Sequence, residues 1–340
     1  MKKNNLIGCD IEWLEDYISN IGADKRYAIK LLRWVYRKRI FDLGLINDIP
    51  RALLDEIAKN FDVGLFYPSE ILAGNDGSVK YLYQNNKDML FESVLMRAEK
   101  RNTLCVSSQS GCRIGCKFCM TGSIGFKGNL TSRDILNQLL AIPKSKEVNR
   151  IVIMGMGEPL DNSDEVLSAI RILTADWGCA FGKTNITLSS VGIIDELKRF
   201  LDAPPCNLAI SLHSPFRDER SDLMPIEKSN PIEEVVNLIR NNPLPKPLRV
   251  SFEYVALSGV NLSSNHALAI AELLKGIQCH LNIIPWNSHE NAKFNTPKDN
   301  ELQSFISQLN SLGVLTTVRK SMANEIGAAC GQMAGRKKGD

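Results

Sequence analysis

The stretch GCRIGCKFCMTG, Gly111 to Gly122, decides how the rest of the chain is interpreted. It places Cys112, Cys116 and Cys119 within eight residues, at C-x3-C-x2-C spacing. Three thiolates on one loop can converge on one metal centre, and soft sulfur ligands favour iron–sulfur clusters or zinc. Structural zinc needs a fourth ligand, which Cys105 could supply, whereas three ligands on a 4Fe-4S cluster leave one iron open. The spacing predicts a metal centre and leaves both kinds open.

The chain around this loop alternates between predicted strands and predicted helices. Six strands are expected, each followed by a helical stretch, at 103–107, 150–154, 185–189, 207–212, 249–255 and 280–285. This order indicates a parallel sheet with crossover helices, and about 200 residues of it favour a partial (β/α)6 TIM-type barrel. In such a barrel the chemistry lies on the loops after the C-terminal ends of the strands.

Two further parts precede the barrel. Apolar residues at helical spacing predict three helices between residues 10 and 62, and short β-rich runs broken by GNDG and NNKD predict an antiparallel meander. We therefore divide the α/β chain into a helical domain at 1–69, a β-meander connector at 70–100 and a barrel core at 101–340.

Composition narrows the class of protein. Nine cysteines without a signal-peptide core or a long apolar run indicate a cytoplasmic protein, not associated with a membrane, whose thiols serve metal or catalytic roles. The net charge of +3 identifies no partner by itself.

The cysteine loop after the first barrel strand resembles the signature of the radical S-adenosylmethionine (SAM) enzymes. Further motifs in the same order resemble a narrower group, the RlmN/Cfr family of RNA adenosine methyltransferases: TLCVSSQSGCRIGCKFCMTG, MGMGEPLDN, AISLHSP, RSDLMPIEK, NIIPWN and AACGQMAG. The resemblance implies one 4Fe-4S cluster on Cys112, Cys116 and Cys119, two SAM molecules per turnover, and a reducing electron donor such as flavodoxin.

The resemblance also implies a SAM pocket at the barrel mouth. The glycine-rich turn after the second strand lacks the G-x-G-x-x-G pattern of dinucleotide sites. SAM contacts are expected at Gly157, Glu158, Ser189, Ser211, Leu212, His213 and Asn287. The alternative for each polar side chain is a strand-end cap for loose backbone groups.

Two isolated cysteines stand outside the triplet. From sequence alone Cys105 and Cys330 are each expected to be buried apolar residues. The resemblance implies instead that Cys330 takes a methyl group from one SAM, and that a radical from a second SAM activates this methyl group to add to the adenine ring. Cys105 then removes the ring proton and releases the product by forming a disulfide with Cys330.

The remaining expectations concern a carboxylate and the RNA. The resemblance makes Glu92 a proton acceptor, with a solvent-facing carboxylate as the alternative. The stretch from Lys25 to Arg39 carries seven cations and no acid, interleaved with Tyr27, Trp34 and Tyr36, which favours RNA phosphate contacts and base stacking. The alternative is a solvated amphipathic helix with Trp34 in the core. Lys337 and Lys338 add charge at the other end of the chain.

The family match implies a monomeric methyltransferase acting on carbon 2 of an adenosine in 23S rRNA, with tRNA as a second substrate. A carbon-8 enzyme and a non-catalytic metal-stabilised RNA-binding protein are the alternatives. The chain departs from the family upstream of Cys330, where family members show R-G-x-D-I and this sequence has Met322, Ala323, Asn324, Glu325 and Ile326. This departure leaves the substrate range open.

Overall fold

The computed structural model describes residues 3–289, 292, 294–319 and 322–334. Its strands, in chain order, are β1 (Asn4–Asn5), β2 (Phe61–Asp62), β3 (Glu70–Ala73), β4 (Val79–Gln84), β5 (Leu90–Ala98), β6 (Arg101–Cys105), β7 (Gln109–Gly111), β8 (Phe126–Asn129), β9 (Arg150–Ile153), β10 (Ile186–Ser190), β11 (Asn207–Ser211), β12 (Val250–Ala256), β13 (Cys279–Pro285) and β14 (Thr316–Val318).

The helices lie between these strands as the alternation predicted. They are α1 (Ile11–Asn20), α2 (Arg26–Tyr36), α3 (Arg51–Asn60), α4 (Met120–Ser123), α5 (Ser132–Leu140), α6 (Ser163–Thr174), α7 (Ile194–Asp202), α8 (Arg217–Leu223), α9 (Ile232–Asn241), α10 (Ser264–Leu274) and α11 (Asp299–Ser311). The described part of the chain has no helix long and apolar enough to cross a membrane.

One ten-stranded sheet organises the molecule, in the order β14-β13-β12-β11-β10-β9-β6-β5-β4-β3. Within this sheet, β6 and the strands from β9 to β14 are parallel, and β3 to β6 pair antiparallel. The predicted meander is therefore present, but it continues the barrel sheet instead of forming a separate one. This pairing brings Val94 opposite Cys105, so the meander forms one wall of the site.

The six predicted barrel strands are confirmed, with ends shifted by up to two residues, and the fold is a partial TIM-type barrel. A seventh parallel strand, β14, was not predicted because it has three residues, two of them exposed. Helix α8 was not predicted either. In β10, Ile186 and Leu188 are fully buried while Thr187 and Ser189 are half-buried, so alternate side chains face the open interior of the barrel.

The three N-terminal helices are present at the expected positions and pack against the barrel. Leu14, Leu32 and Ile57 belong to the same apolar core as Ile151 and Leu188 of the barrel strands. Because the two parts share a core, the boundaries of the three-domain division stay a prediction.

Candidate active site

The cysteine loop leaves the end of β6 and is shaped by the small β7–β8 hairpin. Gly111 has φ +71°, and a Cβ atom there would lie 1.8 Å from the carbonyl oxygen of Gly125. Only glycine fits this crossing without moving the backbone. The loop that carries Cys112, Cys116 and Cys119 is therefore held in one shape by its own hairpin.

The three predicted cluster ligands are half-buried, and Cys112 and Cys116 pack against an apolar cluster that contains Ile114, Met224 and Trp286. Burial, followed by the coulombic effect of neighbouring acidic groups and thiols, raises the pKa of Cys112 to about 12, and the same causes raise that of Cys116 well above its usual value. Three crowded thiols of this kind are costly to ionise without a cation, and metal coordination supplies one. The donor set fits an iron–sulfur cluster.

The zinc alternative would require Cys105 as a fourth ligand beside the three loop cysteines. Among the described residues, no group of three or more His, Cys, Asp or Glu side chains is arranged to hold a single metal ion. Three thiolates on a cubane each bind a different iron, so they need not approach a common point. Cys105 lies instead in a cavity with Cys119 and Cys330.

The segment between Cys116 and Cys119 is anchored to neighbouring elements. The carbonyl oxygen of Phe118 accepts hydrogen bonds from Trp286 Nε1 at 3.1 Å and His289 Nε2 at 3.0 Å. The backbone N–H of Lys117 donates to Leu223 at the end of α8 over 2.9 Å. These contacts fix the loop against the last strands of the barrel.

The glycine-rich turn after β9 approaches the cysteine loop closely. Gly157 has φ +98°, and a Cβ atom there would lie 2.5 Å from the Gln109 side chain. The carboxylate of Glu158 is buried and accepts from Ser190 Oγ at 2.6 Å, Val191 N at 3.0 Å and Leu160 N at 3.0 Å. Glu158 therefore does cap backbone groups. Burial nevertheless outweighs these bonds and raises its pKa to about 7.

The ends of β10 and β11 carry the next group of predicted residues. Ser189 and Ser211 are half-buried, and Leu212 is fully buried. His213 has φ +58°, and its Nδ1 accepts from Val255 N at 2.9 Å. Burial, reinforced by Arg220, lowers the pKa of His213 to about 3, so the ring is neutral and Nε2 carries its proton.

Sequence reasoning missed the residue that ties these strand ends together. Arg220 on α8 is fully buried and donates to the carbonyl oxygens of Leu212 at 2.9 Å and Ser211 at 2.8 Å. Its Nη1 also pairs with Glu227. The motif RSDLMPIEK contains both charges, so the signal was present, but their pairing depends on the fold.

The Cys330 segment lies across the cysteine loop. Asn287 Nδ2 donates to the Cys330 carbonyl oxygen at 3.2 Å, and Thr121 Oγ1 donates to that of Met333 at 2.7 Å. The backbone N–H of Met120 donates to Gly331 at 2.7 Å. Asn287 thus positions the Cys330 loop in this structure, and its contact with SAM stays a prediction.

Cys105 and Cys330 line one cavity of about 90 Å³ together with Cys119 and Arg319. Cys105 is 8% exposed, as expected for a buried apolar residue, whereas the same expectation for Cys330 is wrong because its side chain is exposed. Four methionines complete the lining: Met96, Met154, Met322 and Met333. Flexible thioethers around two thiols allow the cavity to change shape.

Glu92 faces the barrel side of β5 and is 1% exposed, so the solvent-facing alternative is wrong. Its Oε1 lies 3.5 Å from Lys80 Nζ, and its backbone carbonyl accepts from Ser107 Oγ. Glu92 is on the same face of the strand as Val94 and Met96, which line the cavity shared by Cys105, Cys119 and Cys330. Its role as a proton acceptor stays a prediction.

The departure upstream of Cys330 has a visible backbone consequence. Ala323, at the position where the family shows glycine, adopts φ +62°. Its N–H donates to Asp76 Oδ2 at 2.7 Å, and Glu325 Oε2 accepts from Asn75 N at 3.4 Å. The segment that carries Cys330 is therefore attached to the β3–β4 turn despite the unfavourable residue.

Helix α2 presents a basic surface, with corrections to the expected aromatic contacts. Arg33 and Arg37 are exposed and form no ion pair among the described residues. Tyr36 is fully buried, with its hydroxyl accepting from Gly8 N at 2.8 Å, so base stacking on Tyr36 is wrong. Trp34 is half-buried under Lys38, whose Nζ lies 3.3 Å from the ring centre. Lys337 and Lys338 lie outside the described residues.

Comparisons with known proteins agree with this geometry. Residues 106–270 match the sequence model of the radical SAM superfamily. The chain is 41% identical over 338 residues to a probable dual-specificity RNA methyltransferase RlmN of Parabacteroides distasonis, covering 98% of each. It is 37% identical to the dual-specificity RNA methyltransferase RlmN of Syntrophobacter fumaroxidans, covering 94% of this chain and 95% of that protein.

A solved structure shows that the likeness extends to the whole fold. The crystal structure of a radical SAM methyltransferase from Sphaerobacter thermophilus superposes with a TM-score of 0.91 at 34% sequence identity. The match covers 98% of this chain and 100% of the other.

Proposed function

The chain belongs to the RlmN family of radical SAM methyltransferases, and from this premise we propose that it methylates carbon 2 of an adenosine in RNA. We take 23S rRNA as the main substrate and tRNA as a second one, in the cytoplasm, with the protein acting as a monomer. The observation that carries the proposal is the cavity shared by Cys105, Cys330 and Cys119, because two thiols outside the triplet lie there with a predicted cluster ligand.

Cys112, Cys116 and Cys119 would hold the cluster, and the strand-end residues from Gly157 to Asn287 would hold SAM. When bound, the cluster and SAM supply a one-electron reduction that generates a carbon radical, which makes a methyl group reactive toward an aromatic carbon. The protein needs such chemistry because carbon 2 of adenine has no lone pair to attack a SAM methyl directly.

The chain's own residues carry and release the methyl group. Cys330 is exposed on a loop held by Asn287 and Thr121, so its sulfur is accessible as a methyl acceptor. After the methylene carbon has joined the ring, the Cys105 thiolate takes the ring proton, and the unpaired electron left on the ring would pass to a one-electron acceptor such as the oxidised cluster. Once ionised again, Cys105 attacks the Cys330 sulfur, forming an S–S bond as the S–CH2 bond breaks. The electron pair stays on the methylene carbon, which gains a proton, and an external dithiol reduces the disulfide.

Two side chains near the cavity support proton movement. Glu92 is buried on the wall that carries Val94, and Lys80 keeps a cation 3.5 Å from it. A carboxylate in this position can accept the proton that Cys105 removes from the ring. The four methionine side chains present an apolar surface beside the thiols.

Mass spectrometry of the purified holoenzyme tests this route. We expect Cys330 to carry a methyl group in wild type, and Cys105→Ala to accumulate RNA covalently attached at Cys330 because release is blocked. Cys206→Ala removes a buried thiol outside the cavity and is the matched control. An unmethylated Cys330 in an enzyme that methylates RNA would contradict the proposal.

A further inference from the structure

We propose that Arg319 is a positioning residue of this site, the counter-cation that makes the Cys105 thiolate attainable inside the cavity it shares with Cys330. The inference rests on the proposed function, which requires Cys105 to ionise twice. It concerns a side chain outside all of the motifs that carry the family resemblance, at the end of a strand that the sequence pattern did not reveal.

The position of Arg319 is fixed by the barrel. Its backbone N–H donates to the carbonyl oxygen of Ile283 at 2.8 Å, which extends the β13–β14 pairing by one residue. The side chain is 27% exposed and lines the cavity with Cys105 and Cys330. Because its backbone is hydrogen-bonded to β13, Arg319 is held by the sheet, while its side chain lines the same cavity as the thiols.

Met154 connects the cation to Cys105. Arg319 Nη1 donates to Met154 Sδ at 3.1 Å, while the backbone N–H of Met154 interacts with the Cys105 thiol and lowers its pKa. One residue therefore contacts both partners, from the end of β9. The guanidinium and the thiol that must ionise therefore share Met154 as a neighbour.

The charges around Cys105 oppose one another. The pKa of Cys105 is raised to about 12, chiefly by burial and then by the neighbouring Cys330, while Arg319 and the Met154 N–H act to lower it. Cys119 lines the same cavity. In turn, Cys330 is the main influence that raises the pKa of Arg319, ahead of Glu253 and Cys105. The cation is coupled to both thiols, so methylation of Cys330 would leave its field to Cys105 alone.

Glu253 pairs with the Arg319 guanidinium from the barrel interior, at a distance longer than a direct hydrogen bond. Its carboxylate is 4% exposed and accepts from Ser251 Oγ at 3.0 Å and Asn282 Nδ2 at 2.8 Å. The other oxygen, Oε2, lies 3.8 Å from Arg319 Nη1 and has no hydrogen-bond partner among the described residues. Removing this negative charge should leave more of the cation's field at the thiol.

The test is the pH profile of Cys105 alkylation by iodoacetamide in the anaerobic holoenzyme, read by peptide mass spectrometry. Arg319→Met keeps an unbranched apolar stem but removes the charge, and we expect it to slow Cys105 alkylation at pH 8 about tenfold, equivalent to one pKa unit. Arg319→Lys should stay within about threefold of wild type because it keeps a cation. Glu253→Gln should act in the opposite direction and speed the reaction.

Cys206 is the internal control. It is a fully buried thiol whose pKa is also raised to about 12, chiefly by burial, and Arg319 is not among the described groups that shift it. An unchanged Cys105 profile in Arg319→Met, with Cys206 still protected, would overturn the inference. If Cys206 becomes reactive in Arg319→Met, that variant has lost its fold, and Glu253→Gln decides the question. Failure of Glu253→Gln to speed Cys105 alkylation would then overturn the inference. None of these readouts uses RNA, so absence of RNA methylation by wild type would contradict the proposed function separately.

Discussion

Binding of SAM should depend on pH through Glu158. The pKa of this carboxyl is raised to about 7, chiefly by burial and against hydrogen bonds from Ser190, Val191 and Leu160. A raised carboxyl pKa means that the proton is lost only as pH rises through about 7. The ionised fraction is then about nine tenths at pH 8 and about one tenth at pH 6. If the carboxylate form receives the SAM amino group, affinity should weaken about tenfold from pH 8 to pH 6.

Calorimetric titration of SAM into the anaerobic holoenzyme at pH 6, 7 and 8 measures this effect. Glu158→Gln keeps the shape of the side chain but cannot ionise, so it should bind SAM more weakly at pH 8 and lose the tenfold dependence. Any titration of SAM itself affects both proteins equally and cancels in the comparison. The reasoning would be refuted by a Glu158→Gln variant that keeps the wild-type pH dependence.

Three further outcomes follow from the contacts around the site. Arg220→Met leaves the buried Glu227 without its partner and should lower the free energy of unfolding, measured with denaturant, by about 3 to 5 kcal/mol. Adding Glu227→Met should recover most of this loss. A loss under about 1 kcal/mol would be inconsistent with the buried pair. Asp76→Ala removes the acceptor for Ala323 N–H and should speed hydrogen exchange of that amide about tenfold. Asp24→Ala, which breaks an exposed ion pair, should leave this exchange rate unchanged. Equal exchange rates in the two variants would speak against the attachment. The double variant Arg33→Gln/Arg37→Gln should lower the slope of log Kd for RNA against log salt concentration by about 1.5. The control Lys198→Gln/Lys275→Gln removes two cations that pair with acids and should leave the slope unchanged. Equal slopes in the two double variants would exclude α2 from the RNA interface.

The local spacing of the sequence predicted the parts of the site that depend on one segment. The cysteine loop follows from C-x3-C-x2-C, and the positions of Glu158, Ser189 and Asn287 follow from their place after apolar strands. The burial of Tyr36 could also have been predicted, because it continues the helical spacing of Ala28, Leu32 and Val35 on the apolar face of α2.

Contacts between segments far apart in the chain could not be predicted from the spacing of residues in the sequence. Arg319 lies 165 residues from Met154 and Asp76 lies 247 residues from Ala323, so neither contact leaves a periodic signal. Strand β14 is too short to show alternation, although Arg319, the residue directly after it, lines the cavity with Cys105 and Cys330. Polar residues whose partners come from other strands are the ones that sequence reasoning missed.

Nucleoside mass spectrometry of RNA incubated with the reconstituted enzyme tests the central claim most directly. The account predicts 2-methyladenosine with wild type and SAM, and none with Cys330→Ala. Appearance of 8-methyladenosine, or of 2-methyladenosine with Cys330→Ala, would contradict it.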